Sequence, residues 1–560
     1  MTARGKIVLT ILILGVVGFG AWKWWDRLTA KPGAAPPPSA VAGNSASTNE
    51  TSNAQDAKAS EVVETMSEVK TLPPPIAYQP TNNTVVVELS EYAGYAGFIA
   101  ANGGLEPNTN SVFFKKHGFL VHLTMSEEES WPALNSGKMA ASATTADVLA
   151  IYGKQFQVIV PAQIGYSRGA DGVVVRSDIK RINALKGKTL ATSQFTEADF
   201  FIRYLAQEAG LGINMLPDLK TAPDTNKLNL IYCTDAFAAG DLFLRDVKDG
   251  GNLLAGCVTW DPKTTEVADG SGGKAHVLTT SVNLLIIADI FIVNKGFAQE
   301  HPNMVQGLVE GLLAGNRMVR DNPESQYTVI GKAFKWDRQK TVDELAKVHL
   351  ANLPENLAFF SGAIDAAGSF GGIYQSAVYS YGADLIKDPV DADHFAELKY
   401  LNALDKSGEF AGQTIAIKPI RAGSGAAVEG DPLLSKDIRF LFAANEAGLE
   451  MSNEDNTNNL ATIKKMLQVS PGSTVLLRGH VDNSKVQEFL KSGGEAYVRQ
   501  MAMRAVQLSK DRAAEIKRLL VEKYGVDASR VDIVGRGWEE PVSTDPDQNR
   551  RVEVQWFMLE

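Results

Sequence analysis

Cysteine is nearly absent: the 560 residues hold only Cys233 and Cys257, and the seven histidines nowhere fall at metal-ligand spacing. No metal framework can be assembled from these residues, and neither a metal nor a cofactor is expected. In an oxidising compartment the two cysteines admit one disulfide; the alternative is a pair of buried thiols acting as small hydrophobes. A large basic block is missing as well. With 55 Lys+Arg against 65 Asp+Glu, the net charge is −10, which argues against nucleic acid as a partner. The sequence has no Gly-x-Ser-x-Gly elbow, no Gly-x-x-x-x-Gly-Lys-Ser/Thr loop and no His-Glu-x-x-His. The glycines around Ser271 follow no strand pattern and read as a surface loop. No enzyme is expected.

The N-terminus, by contrast, has a long apolar run. Residues 7–25 are almost continuously apolar, with Arg4 and Lys6 before them and Trp22, Trp24 and Trp25 at the far end. About 20 such residues cross a hydrocarbon core, and tryptophan favours its interface. A cleaved signal peptide is the alternative, but bulky Trp-Lys-Trp-Trp-Asp stands where small residues mark cleavage. Residues 1–28 are therefore expected to be an uncleaved transmembrane helix. Residues 29–80 are rich in Ala, Pro, Ser, Thr and Asn and carry two triple prolines. They read as a disordered tether with a reach on the order of 100 Å.

From residue 84 to 404 short β-rich runs alternate with amphipathic stretches, the pattern of an α/β fold with largely parallel sheets. Several phrases in order resemble the type II periplasmic binding proteins, in particular the group serving nitrate, sulfonates, taurine and thiamine precursors. They are Val85 to Leu89 with the aromatic loop Glu91-Tyr92-Ala93-Gly94-Tyr95, and Phe114 to Phe119. Leu134 to Met139 with Ala143-Thr144-Thr145 comes next, then Ile182 to Leu190, Asp235 to Asp241 and Asn294 to Arg320. The resemblance implies two lobes, residues 84–175 plus 280–400 and residues 176–280, with a ligand cleft between them. In open α/β sheets ligands sit beyond strand carboxyl ends, where helix N-termini present unpaired N–H groups. The candidate solute-binding residues at such turns are Tyr92, Tyr95, Thr144, Thr145, Thr196 and Asp235. The threonines and Asp235 can equally be helix caps, and the tyrosines can be core aromatics. Glu197 and Asp199 pose a question of charge. Facing the cleft they favour a cationic or zwitterionic ligand over sulfonate or nitrate; facing solvent they only complement the helix dipole.

Residues 405–432 include Ala-Gly-Ser-Gly-Ala-Ala and Gly-Asp-Pro and read as a linker. Residues 433–560 then follow the order β-α-β-α-β-β. Four stretches carry a second resemblance: Leu476 to Asn483, Leu508-Ser509-Lys510-Asp511-Arg512-Ala513, Gly535-Arg536-Gly537, and Asn549 to Glu553. Together they resemble the α+β OmpA-like peptidoglycan-binding domain. That resemblance implies that Asp482 and Arg512 hold diaminopimelate, with Asn549 and Arg551 bordering the site. The chemistry suits the ligand, since a carboxylate accepts from its ammonium and a planar guanidinium grips its carboxylate. Departures from the family pattern are Val481 in place of Thr, Ala505 in place of Asn, and an insertion that includes Lys491-Ser492-Gly493-Gly494. An extra loop and a longer helix N-terminus are expected beside the pocket.

Taken together, the resemblances imply a bacterial envelope protein held at the inner membrane by a single pass, with most of the chain in the periplasm. Its expected partners are peptidoglycan, a small-molecule solute and an ABC permease. It is expected to act as the substrate-binding component of an ABC-type uptake system or as a ligand sensor. The alternative is a structural tether whose binding domain has lost its ligand.

Overall fold

The computed structural model describes residues 62–126, 130–363, 368–387, 389–417, 434–438, 440, 442, 446–469 and 473–557. The expected transmembrane helix over 1–28, most of the tether and most of the 405–432 linker lie outside these residues. Among the described residues no helix is long and apolar enough to cross a membrane.

Two six-stranded sheets form the middle of the chain. The first has the order β12-β4-β11-β3-β1-β2, from β1 (Thr84–Leu89), β2 (Leu120–Met125), β3 (Ala141–Thr145), β4 (Val158–Ser167), β11 (Ala288–Asn294) and β12 (Val348–Leu350). The second has the order β10-β5-β9-β6-β8-β7. Its strands are β5 (Asp171–Arg176), β6 (Thr189–Ser193), β7 (Ile213–Met215), β8 (Leu228–Cys233), β9 (Gly256–Trp260) and β10 (Ala275–Thr280). β-Branched runs such as Val85-Val86-Val87 and Val173-Val174-Val175 supply strands that are buried on one or both faces. Cys233 and Cys257 are buried and free, the two-thiol alternative.

The sheets are mixed, against the expectation of largely parallel ones. β1, β2 and β3 run parallel, and so do β7, β8, β6 and β9. β11 is antiparallel to both β3 and β4, while β5 is antiparallel to β9 and β10 to β5. The cause is the crossing itself: a strand arriving from the other lobe enters its sheet at the cleft edge and runs against its neighbours. The first crossing lies at residues 168–170, because β5 already belongs to the second sheet. The first lobe therefore ends earlier than the expected residue 175. The crossings meet through Ser167 Oγ and Ser281 Oγ, 2.6 Å apart, and Gly169 N donates to Ser281 Oγ at 3.1 Å.

The later part of the expected tether is packed, not disordered. Thr65 Oγ1 donates to Leu216 O and Met66 N to Gln194 Oε1, both in the second lobe. Leu72 N then donates to Gln155 Oε1 and Tyr78 N to Asn294 Oδ1, both in the first. Leu72 and Tyr78 are buried. Beyond the domain, Ala416 N donates to Glu355 Oε1 and Asn352 Nδ2 to Thr414 O, so residues 405–417 also belong to the fold.

Helix Phe370–Leu385 packs on both lobes, touching helices Val148–Tyr152 and Glu197–Glu208. Its Tyr381 ring lies 5.0 Å from the Arg203 guanidinium, and its hydroxyl donates to Thr196 O. Arg203 Nε donates to Asp199 Oδ1 at 2.8 Å and Nη2 to Tyr232 OH at 2.7 Å, all buried.

The last sheet has four strands in the order β13-β16-β14-β15: β13 (Leu434–Ile438), β16 (Val552–Phe557), β14 (Thr474–Gly479) and β15 (Val531–Gly535). Helices Glu454–Val469 and Val486–Tyr524 complete the β-α-β-α-β-β order. The glycines that end β14 and β15 have a steric reason. A Cβ at Gly479 meets Ser509 O at 2.1 Å, and one at Gly535 meets Val506 O at 2.3 Å, so the long helix lies on bare backbone.

Breaking a buried ion pair from one side leaves an uncompensated charge. Arg203→Met is expected to lower the free energy of unfolding by about 3–5 kcal/mol, read from the urea midpoint. The double replacement Asp199→Leu with Arg203→Met costs less, since no stranded carboxylate remains.

Candidate functional site

The strand carboxyl ends of both sheets face one cleft, which encloses about 680 Å³ including open solvent at its mouth. All six expected solute-binding residues line it: Tyr92, Tyr95, Thr144, Thr145, Thr196 and Asp235. Tyr92 and Tyr95 follow β1, and their rings meet edge-on with centroids 5.1 Å apart. Thr144 and Thr145 close β3 and are not helix caps. Thr196 stands at the start of helix Glu197–Glu208, but its hydroxyl donates to Ser193 O at 2.9 Å. Asp235 does cap its helix, accepting from Ala238 N at 2.7 Å. Glu197 and Asp199 separate: Glu197 lines the cleft, while Asp199 turns inward to Arg203.

Three acids that line the cleft were not singled out in the sequence: Glu88, Asp171 and Asp289. Asp289 is the second residue of β11, opposite Thr145, and Asp171 opens β5 opposite Trp260. Because those strands enter from the cleft edge, their first residues sit beside the last residues of the parallel strands. Tyr92 OH donates to Asp289 Oδ2 at 3.3 Å. Burial, reinforced by Asp171, pushes the Asp289 carboxyl well above the ordinary carboxylate range. Burial also raises Asp171 to about 7, even though the Ser167 hydroxyl bonds it. Burial likewise raises Glu88. The signal that could have found the two aspartates is a lone Asp against apolar residues: Asp171 at the head of Asp-Gly-Val-Val-Val, and Asp289 interrupting the apolar run Leu284 to Val293. Aspartate is seldom fully buried without a partner.

A second groove lies in the C-terminal domain, walled by Asp482, Arg512 and Arg551 with Phe489, Arg504 and Trp538. Asp482 follows β14; it accepts from Ser484 N at 3.1 Å and pairs with Arg550 Nε at 3.1 Å. Burial raises its carboxyl, but the Ser484 bonds and the Arg550 charge hold it below the usual range. Arg512, on the long helix, donates from Nε to Glu446 O at 3.2 Å and lies 5.0 Å over the Phe442 ring. Burial and Arg550 lower its pKa. The expected insertion is a helical segment that turns at Gly494 (φ 67°) and brings Phe489 against Trp538 at 6.1 Å. Asn549 does not line the groove. It is buried and organises the preceding turn, with Oδ1 accepting from Val542 N at 2.8 Å and Ser543 N at 3.1 Å, and Nδ2 donating to Ser543 O at 2.7 Å.

Residues 441–555 match the OmpA family. The outer membrane protein Omp38 of Acinetobacter baumannii is 26% identical over 124 residues, which are 21% of this chain and 30% of that protein. The chain thus spans under a third of that relative. Solved structures of similar arrangement include the periplasmic aliphatic sulphonate binding protein SsuA of Escherichia coli. It is 14% identical, covers 56% of this chain and 92% of its own, and has a TM-score of 0.41. The periplasmic nitrate-binding protein NrtA of Synechocystis PCC 6803 is 12% identical over 60% of this chain and 90% of its own, with a TM-score of 0.41. The desulfurization enzyme DSZB is also similar, 14% identical over 58% of this chain and 99% of its own, with a TM-score of 0.37. The chain therefore joins a domain built on two six-stranded sheets to a C-terminal domain that matches the OmpA family.

Asn549→Ala removes three hydrogen bonds to the backbone of Val542 and Ser543. It is expected to lower the stability of the C-terminal domain by about 2–4 kcal/mol, measured by thermal unfolding. Its affinity for a wall peptide, measured below the unfolding range, should change far less than in Arg512→Ala.

Proposed function

We propose that this protein is a non-enzymatic solute-binding protein of the bacterial envelope, anchored to the inner membrane through residues 1–28 and to peptidoglycan through its C-terminal domain. The observation that carries the reading is the cleft, in which every strand-end residue expected to touch solute lines one space between two lobes. The lobes close on a small molecule, and the difference in affinity between open and closed states is the signal passed onward. That signal goes to an ABC permease or a sensor partner in the membrane. In the second groove Asp482 accepts from the ammonium of diaminopimelate and Arg512 holds its carboxylate, with Arg551 at the border. Asp482 must share its Arg550 partner or exchange it for the ligand's ammonium.

Screening the thermal stability of the purified protein against small metabolites tests the cleft. A true ligand at 100 times its Kd adds about 2.7 kcal/mol to the bilobed domain; no shift with any class of metabolite favours the structural-tether alternative. For the wall site, soluble muropeptide binding is expected to vanish in Asp482→Ala and in Arg512→Ala, and unchanged binding in both removes these residues from the site. Because Asp482 is held below the usual carboxylate range, wall binding should stay level from pH 8 down to about pH 5 and fall only in stronger acid.

A further inference from the structure

The sign of the cleft is uniform. Glu88, Asp171, Glu197, Asp235 and Asp289 line it, and no Lys, Arg or His does so among the described residues. The aromatic walls are Tyr92, Tyr95, Trp131 and Trp260. Trp260 is 9% exposed, and its indole N–H has no hydrogen-bond partner. A buried donor left open in a binding cleft calls for an acceptor on the ligand. Five acids without a lining cation oppose nitrate or a sulfonate, while carboxylates and aromatic faces both attract an organic cation. A bare metal ion fits less well. Among the described residues, the group of three possible metal ligands converging within 4.8 Å is His480, Glu540 and Glu553, in the other domain. The cleft acids are spread around the wall of the cavity, as suits a charge carried on a molecule of some size.

Resting on the solute-binding reading above, we infer that the cleft takes an organic ammonium compound that also carries a hydrogen-bond acceptor. Asp289 and Asp171 face its charge, the aromatic walls enclose its apolar part, and the Trp260 N–H meets its acceptor. Asp289 is faced by Tyr92 and Tyr95 from the loop after β1, by Asp171 from β5 and by Asp147 from beyond β3. Asp171 is faced by Ser167 and by Asp261, the latter paired with Lys347 Nζ at 2.8 Å. Both cleft aspartates have carboxyls raised by burial, so an arriving cation favours their ionised forms and expels protons. Affinity therefore increases with pH, by up to about tenfold per unit for each proton released.

The test is calorimetric titration of the full chain with choline, putrescine and agmatine as cations, methanesulfonate and nitrate as anions, and glucose as a neutral probe. A change in tryptophan fluorescence is expected to accompany binding, because two of the eight tryptophans, Trp131 and Trp260, line the cleft. At least one cation is expected to bind one to one, at least tenfold more tightly at pH 8 than at pH 6, with affinity lost at least tenfold in Asp289→Asn and in Asp171→Asn. These isosteric changes remove charge without opening a void, and retained unfolding temperatures confirm that each variant is folded. Binding of an anion with the cations inert overturns the charge class and leaves the solute-binding reading standing. Cation binding unaltered in both variants overturns the assigned site. No binding by any probe overturns the inference, while the thermal screen against metabolites decides the solute-binding reading separately.

Discussion

Downstream of β1 the chain passes from one sheet to the other twice, and the hydrogen bond between Ser167 Oγ and Ser281 Oγ at 2.6 Å joins these two crossings at one point. The rest of the site depends on that junction. The Ser167 hydroxyl also accepts from Asp171 N at 3.2 Å, and Ser281 N donates to Asp171 O at 2.9 Å. The aspartate that opens β5 is thereby fixed at the floor of the cleft. On the return path the chain re-enters as β11, and Asp289 arrives opposite Thr145. A chain that crossed once would bring Asp171 but not Asp289 to the ends of the parallel strands. Two crossings bring both, and they also impose the mixed direction of both sheets.

Burying these carboxyls opposes folding unless they take up protons or a partner. The second lobe shows the partnered solution at Asp199, which meets Arg203 2.8 Å away. Asp171 and Asp289 show the other, with hydroxyl neighbours and no basic side chain lining their cleft. Strain of this kind is typical of groups held ready for a ligand. The same contrast recurs in the C-terminal domain, where Asp482 has Arg550 beside it and remains ionised.

Residues at strand-to-helix turns were legible in the sequence because topology fixes where such turns must lie. Tyr92, Thr144 and Asp235 come from separate elements and still line one cleft. Asp171 and Asp289 were not legible, because their placement depends on where the chain changes lobes. Composition also misled at residues 62–80. Proline and polar residues there suggest a free chain, but Asn135, Gln155, Gln194 and Asn294 bond its backbone while Leu72 and Tyr78 enter the core. Asn549 shows the converse, since a motif position near the C-terminal groove serves to hold a turn.

The packed segment at residues 62–80 has a mechanical consequence. Val62 bridges to Cys233 in the second lobe, and sixteen residues later Tyr78 is bonded to Asn294 in the first. The strand therefore works as a strap across the hinge. A pull applied at residue 62 loads the second lobe before the first, and a rotation of one lobe against the other changes the span that the strap must cover.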